Sequence, residues 1–443
     1  MRGILNGMVM QRNDRDVCDI HVTGPVYRAE YSGTSCGTLT TEETPRGTRL
    51  TGMPVGGPYT VQINEEKFTD IYVGDLWMLA GQSNMEGCGL MTRYDRELPP
   101  EPDIRAFYME GDWRPARHGL CEPYRSVYKI HVKLYPEGAV KGTRCVGPGI
   151  SFAREMKRYT GGVPQGLILA AHGGSSMSQW SPELKRLGTG ESLYAAMLDR
   201  FVINGSRLRG MFWYQGCSDT GPEDSAKFTE RMLRFVQEVR ADFGQQLPIV
   251  QVQIGPVHHI YRDYEDSWNS VRMQQYDLTT QLPAFDTITA VNKDLTDYIH
   301  LSSKAQQQIG IEAAESMARL LWPERTEQLA APRVKAVWID TEINPEFRTV
   351  CVRLENLHGG LKSEGRPWGF ALTNTPDRVD EDSVITVRLR GDTALLRTEL
   401  TVEELKKRWL YYGWGQTTYC NLTDEAGRGV PAFGPVALSE ETR

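Results

Sequence analysis

The chain has 443 residues, 40% of them hydrophobic and 24% charged, the usual balance of a protein with two or three folded domains. This composition excludes a disordered, fibrous or coiled-coil chain. The formal net charge of −7 gives no basic field for nucleic acid, and no apolar run approaches the roughly 20 residues of a membrane helix. We therefore expect no nucleic-acid partner and no membrane partner. Because no signal peptide is visible, we expect a cytoplasmic location.

The cysteine pattern bears on metals and disulfides. The eight cysteines are scattered along the chain without a C-x-x-C pair, which argues against structural zinc. Disulfides are uncommon in a long chain without an export signal, so free thiols are favoured. We expect no metal and no cofactor.

Residues 1–73 are predicted to form an N-terminal β domain. Residues 61–64 alternate apolar and polar side chains, and glycine-rich turns such as residues 56–58 separate segments rich in Thr, Tyr and Val. No stretch in this segment has helical periodicity.

Residues 74–330 alternate between short apolar runs and stretches with helical spacing. The runs predict buried strands at residues 76–80, 166–171, 210–214 and 248–252. The helical stretches are residues 150–159, 192–204, 226–243 and 303–321. This alternation predicts an α/β domain with a parallel sheet and helices on both faces.

Residues 331–443 return to a β pattern. Residues 334–339 and 349–354 read as strands, and residues 402–408 as one helix among further strand-like runs. The chain is therefore predicted to be organised as β, then α/β, then β.

The strongest local motif is Ala-Gly-Gln-Ser-Asn-Met at residues 80–85. A buried strand leads directly into this turn, which places Ser83 at the carboxyl end of a central strand, the edge where open α/β sheets bind ligands. Ser83 is either a nucleophile at that edge or an ordinary helix cap.

A second motif, Asp297-x-x-His300, lies in a loop before the last helix of the α/β region. A hydrolytic serine needs a base, and the base needs a carboxylate that orients it. This spacing lets Asp297 hold one imidazole nitrogen while the other faces the serine. The alternative is a surface histidine beside a capping aspartate.

Three further motifs follow predicted strands or open a helix. Gln215 ends the run Trp-Tyr-Gln-Gly and could donate its side-chain N–H to an oxyanion, or be an ordinary polar strand end. Gly149 in Gly-Pro-Gly could donate a backbone N–H or simply form a turn. The glycine turn at residues 172–180 permits close backbone approach, and Trp180 could form the floor of a sugar site.

The order of these motifs resembles that of the SGNH hydrolases. More narrowly, it resembles the branch of sialate O-acetylesterases and plant-type carbohydrate esterases. Residues 6–12 and 410–414 are similar to parts of the leading and trailing β domains of the sialate O-acetylesterase-like proteins. The resemblance implies a flavodoxin-like SGNH-hydrolase core, a three-layer parallel sheet at residues 74–330. N-terminal and C-terminal β domains flank it at residues 1–73 and 331–443, the latter sandwich-like.

The resemblance also implies roles for individual residues. Ser83 would be the nucleophile, His300 the general base and then acid, and Asp297 its orienting partner. The oxyanion hole would combine the backbone N–H groups of Ser83 and Gly149 with the side chain of Gln215. The residues expected to bind substrate are Gln82, Asn84, Gly174, Ser175, Trp180 and Cys217.

Cys217 is a departure from the family pattern. The family usually has a glutamate directly after Trp-Tyr-Gln-Gly, and this chain has a cysteine there. Loss of a carboxylate beside the oxyanion hole could change substrate contacts or the orientation of Gln215. The nucleophile, base and acid positions are all present.

The implied activity is a serine esterase that removes O-acetyl groups from carbohydrates, with O-acetylated sialic acid as the first substrate to consider. Acetylated xylan or mannan oligosaccharides are the alternative substrates. Two other classes stay open: a catalytically silent carbohydrate-binding protein, which the Cys217 change suggests, and a lipase or thioesterase on the same core. The chain could also form a homo-oligomer. Aromatic residues in the long segment 88–144 could wall a sugar site or pack that segment onto the domain.

Overall fold

The structure, a computed structural model, describes residues 3–45, 47–135, 142, 144–258, 265–325, 330–342, 348–376 and 383–438. The chain divides into two compact units. The first comprises Met1–Gln215, Arg231–Ile249 and Ser302–Ala318, and the second comprises Gly216–Glu230, Val250–Leu301 and Arg319–Arg443.

The first unit contains β-strands from the N-terminal segment and from the predicted α/β region. Its strands are Val9–Gln11, Val17–Val22, Ala29–Gly33, Gly37–Thr38, Thr40–Thr44, Gly47–Pro54, Gly56–Ile63, Glu66–Gly81, Gly89–Leu90, Ile104–Phe107, Trp113–Pro115, Arg144–Val146, Gln165–Leu169 and Gly210–Tyr214. Its α-helices, two of which run a few residues beyond the unit, are Ser83–Glu86, Arg93–Glu97, Lys129–Leu134, Gly149–Tyr159, Leu193–Ile203, Phe228–Phe243 and Ser303–Leu321. Short 3-10 turns span Pro123–Arg125 and Pro182–Leu187.

The strand Glu66–Gly81, here called the central strand, connects the N-terminal β segment to the α/β core. Its first half pairs antiparallel with Gly56–Ile63, and near its middle it pairs parallel with Val9–Gln11. Its second half lies between Gln165–Leu169 and Gly210–Tyr214 and is parallel to both. Every residue from position 71 to position 81 is buried, as expected for a strand covered on both faces.

The sheet of the first unit is mixed, which corrects the prediction of a parallel sheet. Ile104–Phe107 lies parallel to Gln165–Leu169, but Trp113–Pro115 pairs antiparallel with Ile104–Phe107 at the edge. Gly56–Ile63 also belongs to this sheet, because it pairs antiparallel with the first half of the central strand. The sheet is therefore mixed for two reasons: the core has an antiparallel edge strand, and one long strand serves both the β segment and the core.

The segment 88–144 contains sheet structure rather than only a long connection. Besides the strand Ile104–Phe107, it holds aromatic residues that are largely buried, such as Trp113 and Tyr128. The indole N–H of Trp113 donates to Asn204 at 2.8 Å, and the hydroxyl of Tyr128 donates to Asp199 at 2.8 Å. These aromatic residues pack the segment onto the first unit.

The predicted helices of the α/β region are confirmed with small changes in their bounds. Gly149–Tyr159, Leu193–Ile203 and Ser303–Leu321 match the predicted ranges. The predicted helix at 226–243 begins at Phe228 and follows a separate short helix, Pro222–Ser225.

The second unit is mostly β and has its own core. Its strands are Ile249–Gln253, Phe285–Thr289, Arg333–Asp340, Arg348–Glu355, Leu361–Ser363, Phe370–Thr373, Thr386–Arg390, Thr393–Thr398, Trp409–Tyr412, Leu422–Asp424 and Phe433–Ala437. Its helices are the 3-10 turn Cys217–Asp219 and the α-helices Pro222–Ser225, Glu265–Gln281 and Val402–Leu405. Buried side chains such as Val350, Leu372 and Leu410 fill one apolar cluster. The predicted return to β structure is confirmed, although the helix at 402–408 is shorter than expected.

Two general features concern the described part of the chain. None of its helices combines the length and apolar character needed to cross a membrane. All eight cysteines lie in the described ranges and are free thiols.

A buried ion pair joins the N-terminal segment to the central strand. The guanidinium of Arg12 donates from Nε and Nη2 to the two carboxylate oxygens of Asp75, both at 2.9 Å. The Asp75 side chain is 0% exposed and that of Arg12 is 13% exposed. Removing one partner of such a pair leaves a charge without compensation in the interior.

We therefore expect Arg12→Ala to lower the free energy of unfolding by about 3 kcal/mol. The matched control is Arg93→Ala, which removes an ion pair whose side chains are 90% and 62% exposed and should change stability by less than about 0.5 kcal/mol. Urea denaturation of both variants measures the difference. Equal losses of stability in Arg12→Ala and Arg93→Ala would contradict the stabilising role of the buried Arg12–Asp75 pair.

Candidate active site

Ser83 lies where the central strand ends. Gly81, the last residue of that strand, has φ +134°, and a Cβ built on it would lie 2.2 Å from the carbonyl oxygen of Tyr214. The backbone N–H of Gln82 donates to the same oxygen at 2.8 Å. Only glycine fits so close to the neighbouring strand, so this approach fixes where the turn begins.

The short helix Ser83–Glu86, here called the Ser83 helix, follows this turn. Gln82 occupies its N-cap position, and Ser83 is its first helical residue. The interpretation of Ser83 as a helix cap is therefore wrong. Ser83 is half-buried, between the buried residues Gln82 and Asn84.

The predicted glycine turn after the strand Gln165–Leu169 lies against the Ser83 helix. The backbone N–H of His172 donates to Gly81 O at 2.9 Å, and that of Gly173 donates to Glu86 Oε2 at 2.6 Å. A Cβ built on Gly173 would lie 3.6 Å from the Cβ of Ser83. The backbone of this turn therefore borders the serine directly.

Gln215 follows the strand Gly210–Tyr214 and is completely buried. Its Nε2 donates to the carbonyl oxygen of Ser175 at 3.1 Å. This hydrogen bond fixes the orientation of the side-chain amide relative to the glycine turn.

Gly149 begins the helix Gly149–Tyr159. A Cβ built on it would lie 2.6 Å from Leu79 Cδ2, so the helix start packs closely against the central strand. In the same turn, a Cβ built on Gly147 would lie 3.0 Å from the Cα of Gly87, at the end of the Ser83 helix. Backbone N–H groups in a first helical turn have no intrahelical acceptor, so they are suitable donors to an anion.

Asp297 and His300 lie in the second unit, in the loop before the helix Ser303–Leu321. His300 Nδ1 lies 2.8 Å from Asp297 Oδ2, and the side chains are 20% and 11% exposed. Asp297 Oδ1 accepts the backbone N–H groups of Ile299 and His300 at 2.9 and 2.8 Å. Asp297 thus closes the turn with one carboxylate oxygen and orients the imidazole with the other. The sequence left a capping aspartate and an orienting aspartate as alternatives, and Asp297 makes the contacts of both.

The charge state of Asp297 follows from these contacts. Burial alone would raise its pKa, but the hydrogen bonds from His300 and from the two backbone N–H groups outweigh burial and hold the pKa below its usual value. The carboxylate is therefore ionised at neutral pH and suited to stabilise an imidazolium on His300.

Several residues expected to bind substrate are packed inside the first unit. Trp180 is 0% exposed, its ring packs against Trp213, and its indole N–H donates to Ser175 Oγ at 2.8 Å. A ring without exposed surface cannot stack on a sugar, so the floor role predicted for Trp180 is not supported. Ser175 is likewise buried, and its hydroxyl and carbonyl groups make hydrogen bonds within the first unit. Gly174, in contrast, is exposed.

Cys217 lies in the second unit, in a 3-10 turn, and is half-buried. Burial raises the pKa of its thiol to about 12, although Arg272 acts in the opposite direction. The thiol therefore stays protonated at neutral pH and is a poor nucleophile.

Two residues that the sequence analysis did not single out contact this region. Glu86 is buried and holds Gly173, and Gln306 Nε2 donates to Asn84 Oδ1 at 3.0 Å. Glu86 follows Ser83 by three residues, the spacing that places two side chains on one helix face, so its position could have been inferred. Gln306 gave no comparable signal, because its partner is 222 residues away.

Within the described residues, no group of three or more His, Cys, Asp and Glu side chains is placed to hold a metal ion. The first unit carries a serine hydroxyl and amide donors at the ends of its strands, and the second unit carries an imidazole bonded to a carboxylate. Serine hydrolases use residues of these types.

Much of the chain, including the central strand and the serine turn, matches a known protein family. Residues 73–319 match the family described as carbohydrate esterase, sialic acid-specific acetylesterase. This match covers more than half of the chain, so the chain belongs to that family and is a carboxylic ester hydrolase of the carbohydrate acetylesterase class. No curated protein matches the chain.

Solved structures are similar over different shares of the chain. XAC1771, a carbohydrate acetylesterase from Xanthomonas citri, is 21% identical with a TM-score of 0.70, and the match covers 97% of each chain. A protein from Arabidopsis thaliana is 26% identical with a TM-score of 0.44, over 55% of this chain and 97% of that chain. NanS is 18% identical with a TM-score of 0.42, over 57% and 98%. The first of these likenesses supports the fold over nearly the whole chain.

The low pKa of Asp297 predicts how stability depends on pH. Asp297→Asn keeps an oxygen for the backbone N–H groups but loses the charge, so it should lower the free energy of unfolding at pH 7 by roughly 1–2 kcal/mol. A carboxylate whose pKa is depressed by folding stabilises above its unfolded pKa, near 3.9, and this contribution is lost as the pH falls through the folded pKa. The gap between wild type and variant should therefore persist to about pH 4 and close below it. Urea denaturation from pH 7 to pH 3 measures this gap, and a gap independent of pH would contradict the assignment.

Proposed function

We propose that this protein is a serine O-acetylesterase that removes acetyl groups from O-acetylated sialic acid. Ser83 acts as the nucleophile, His300 as general base and then acid, and Asp297 as the partner that orients His300. The backbone N–H groups of Ser83 and Gly149 and the side chain of Gln215 form the oxyanion hole.

The observation that carries this proposal is the convergence of separate strand ends on the Ser83 turn. Gly81 meets Tyr214, Gly173 meets Glu86, and Gln215 donates to Ser175, all by the contacts given above. These contacts link the turn that carries the half-buried serine to the glycine turn, and the glycine turn to Gln215. Amide donors next to a serine hydroxyl suit the stabilisation of a tetrahedral oxyanion.

The assignment of His300 as the base rests on its bond to Asp297 and on its place in the chain. Asp297 occupies Nδ1, which leaves Nε2 as the nitrogen that exchanges a proton. Both His300 and Ser83 lie within residues 73–319, which match the family of acetylesterases, and this supports pairing the two residues.

The reaction then proceeds through an acetyl-enzyme. Ser83 Oγ attacks the acetyl carbonyl while His300 Nε2 takes the hydroxyl proton, and the oxyanion hole stabilises the tetrahedral intermediate. Collapse breaks the ester bond, and His300 gives its proton to the departing sugar oxygen. Water then attacks the acetyl-serine with His300 as base, which releases acetate and restores Ser83.

The family description supports a sialic acid substrate, because it names an acetylesterase specific for that sugar. Gly174 and Cys217 stay in the proposal as substrate-facing residues: the first is exposed and the second half-buried. A protonated thiol in place of the family glutamate removes a charge, which favours a contact with an apolar or neutral part of the sugar.

The proposal includes the three-layer SGNH core at residues 74–330 with β domains at residues 1–73 and 331–443. The β-strands that precede and follow the alternation of strands and helices support this arrangement. The central strand crosses the first of these boundaries without interruption, so the N-terminal β segment and the core share one strand.

Ser83→Ala tests the proposed chemistry. Wild type should release acetate from O-acetylated sialic acid, and Ser83→Ala should lower kcat by at least about 10³-fold, because the nucleophile is lost. Acetate release, measured on acetylated sialic acids and on acetylated xylo- and manno-oligosaccharides, gives both the activity and the preferred sugar.

Ser32→Ala is the matched control, since this exposed serine lies in the same unit but on the strand Ala29–Gly33, outside the proposed site. It should leave the rate unchanged. Full activity in Ser83→Ala would overturn the mechanism, whereas a better rate on acetylated xylo- or manno-oligosaccharides would overturn only the sialic acid assignment. No release by wild type from any acetyl ester would point to a carbohydrate-binding protein.

A further inference from the structure

Glu86 is a buried carboxylate for which the reaction described above has no use. It is 3% exposed and lies on the Ser83 helix, one turn after the serine. Its Oε2 accepts the backbone N–H of Gly173 at 2.6 Å, a short hydrogen bond. The Glu86 side chain thus holds the helix that carries the nucleophile to the glycine turn.

The glycine turn connects this bond to Gln215. Ser175, two residues after Gly173, donates from Oγ to His172 O at 2.7 Å, which closes the turn. The carbonyl oxygen of the same Ser175 accepts Gln215 Nε2 at 3.1 Å. A shift of Gly173 would therefore move the acceptor that orients the Gln215 amide.

These contacts close into a ring. Gln215 follows Tyr214, whose carbonyl oxygen accepts the backbone N–H of Gln82, and Gln82 precedes Ser83. The ring thus runs from the Ser83 helix through Glu86, the glycine turn and Gln215, and returns to the Ser83 helix. Glu86 supplies the side-chain bond that joins the Ser83 helix to the glycine turn.

We infer that Glu86 is a positioning residue that sets the Gln215 amide for the oxyanion by holding Gly173. This inference rests on the proposed function, because it assigns Gln215 to the oxyanion hole. Misplacement of a catalytic group by about 1 Å can lower the rate about 10²-fold, so the loss of this bond should be visible in kcat.

The test is a double-mutant cycle between Glu86 and Gln215 with acetate release as the readout. Glu86→Ala should lower kcat by about 10- to 100-fold and leave KM within about twofold, because the bond affects the transition state more than substrate binding. Glu86→Gln keeps an oxygen that can accept the Gly173 N–H and should stay within about threefold of wild type. Gln215→Ala should lower kcat by about 10²- to 10³-fold.

The double variant decides the mechanism. If Glu86 acts through Gln215, Glu86→Ala should lower kcat by less than about threefold in a Gln215→Ala background. Additive losses, or a rise in KM alone, would overturn the inference and leave the esterase itself unaffected. An inactive wild type would instead refute the proposed function.

A stability measurement separates positioning from folding. Thermal unfolding of Glu86→Ala and of Glu86→Met, which keeps the side-chain length without an acceptor, should show folded proteins at the assay temperature. Folded variants with the expected kcat loss support positioning. Variants that cannot be obtained folded would overturn it, because a purely structural role would then be sufficient.

Discussion

The close approach of Gly81 to Tyr214 is the constraint on which the site depends. The central strand meets its neighbour with so little space that any Cβ at position 81 would lie 2.2 Å from a carbonyl oxygen. Only glycine fits there with its φ of +134°, and the turn that follows starts the helix on which Ser83 is the first residue. The same contact places the serine turn next to Tyr214, the residue that precedes Gln215.

The two units contribute different parts of the proposed chemistry. The first unit holds the serine, the glycine turns and the amide donors, built on the ends of parallel strands. The second unit holds the Asp297–His300 pair, in which an ionised carboxylate fixes the imidazole through one nitrogen. Each part is ordered by its own hydrogen bonds, which is the preorganisation that serine hydrolases use.

The sequence predicted most of the core because the buried strands are continuous apolar runs. The strand Gly210–Tyr214 and the helix Ser303–Leu321 coincide with their predicted ranges. The strand Ile104–Phe107 was missed because Arg105 interrupts the apolar run; its guanidinium pairs with Asp70 at 2.7 Å, a contact no local pattern reveals. The mixed sheet was missed for a similar reason, since pairing of the central strand depends on distant segments.

In the candidate site, too, the local motifs can be read from the sequence, whereas the packing of side chains against distant segments cannot. Motifs at strand ends, at a helix start and in a loop single out Ser83, Asp297, His300, Gly149 and Gln215, and their roles in one site remain a prediction. The supporting roles could not be read from the motifs: Trp180 looked like a sugar platform but is packed against Trp213. Burial depends on which side chains the fold stacks above a residue, and a single sequence does not contain that information.

Covalent labelling tests the central claim, that Ser83 is a nucleophile activated by His300, most directly. A fluorophosphonate should add once to the wild-type protein, and peptide mapping by mass spectrometry should place the adduct on Ser83. Labelling should be absent in Ser83→Ala and slower by at least about 10²-fold in His300→Ala, because the serine hydroxyl is weakly nucleophilic without its base. An adduct on another residue, no adduct at all, or an unchanged labelling rate in His300→Ala would contradict the account.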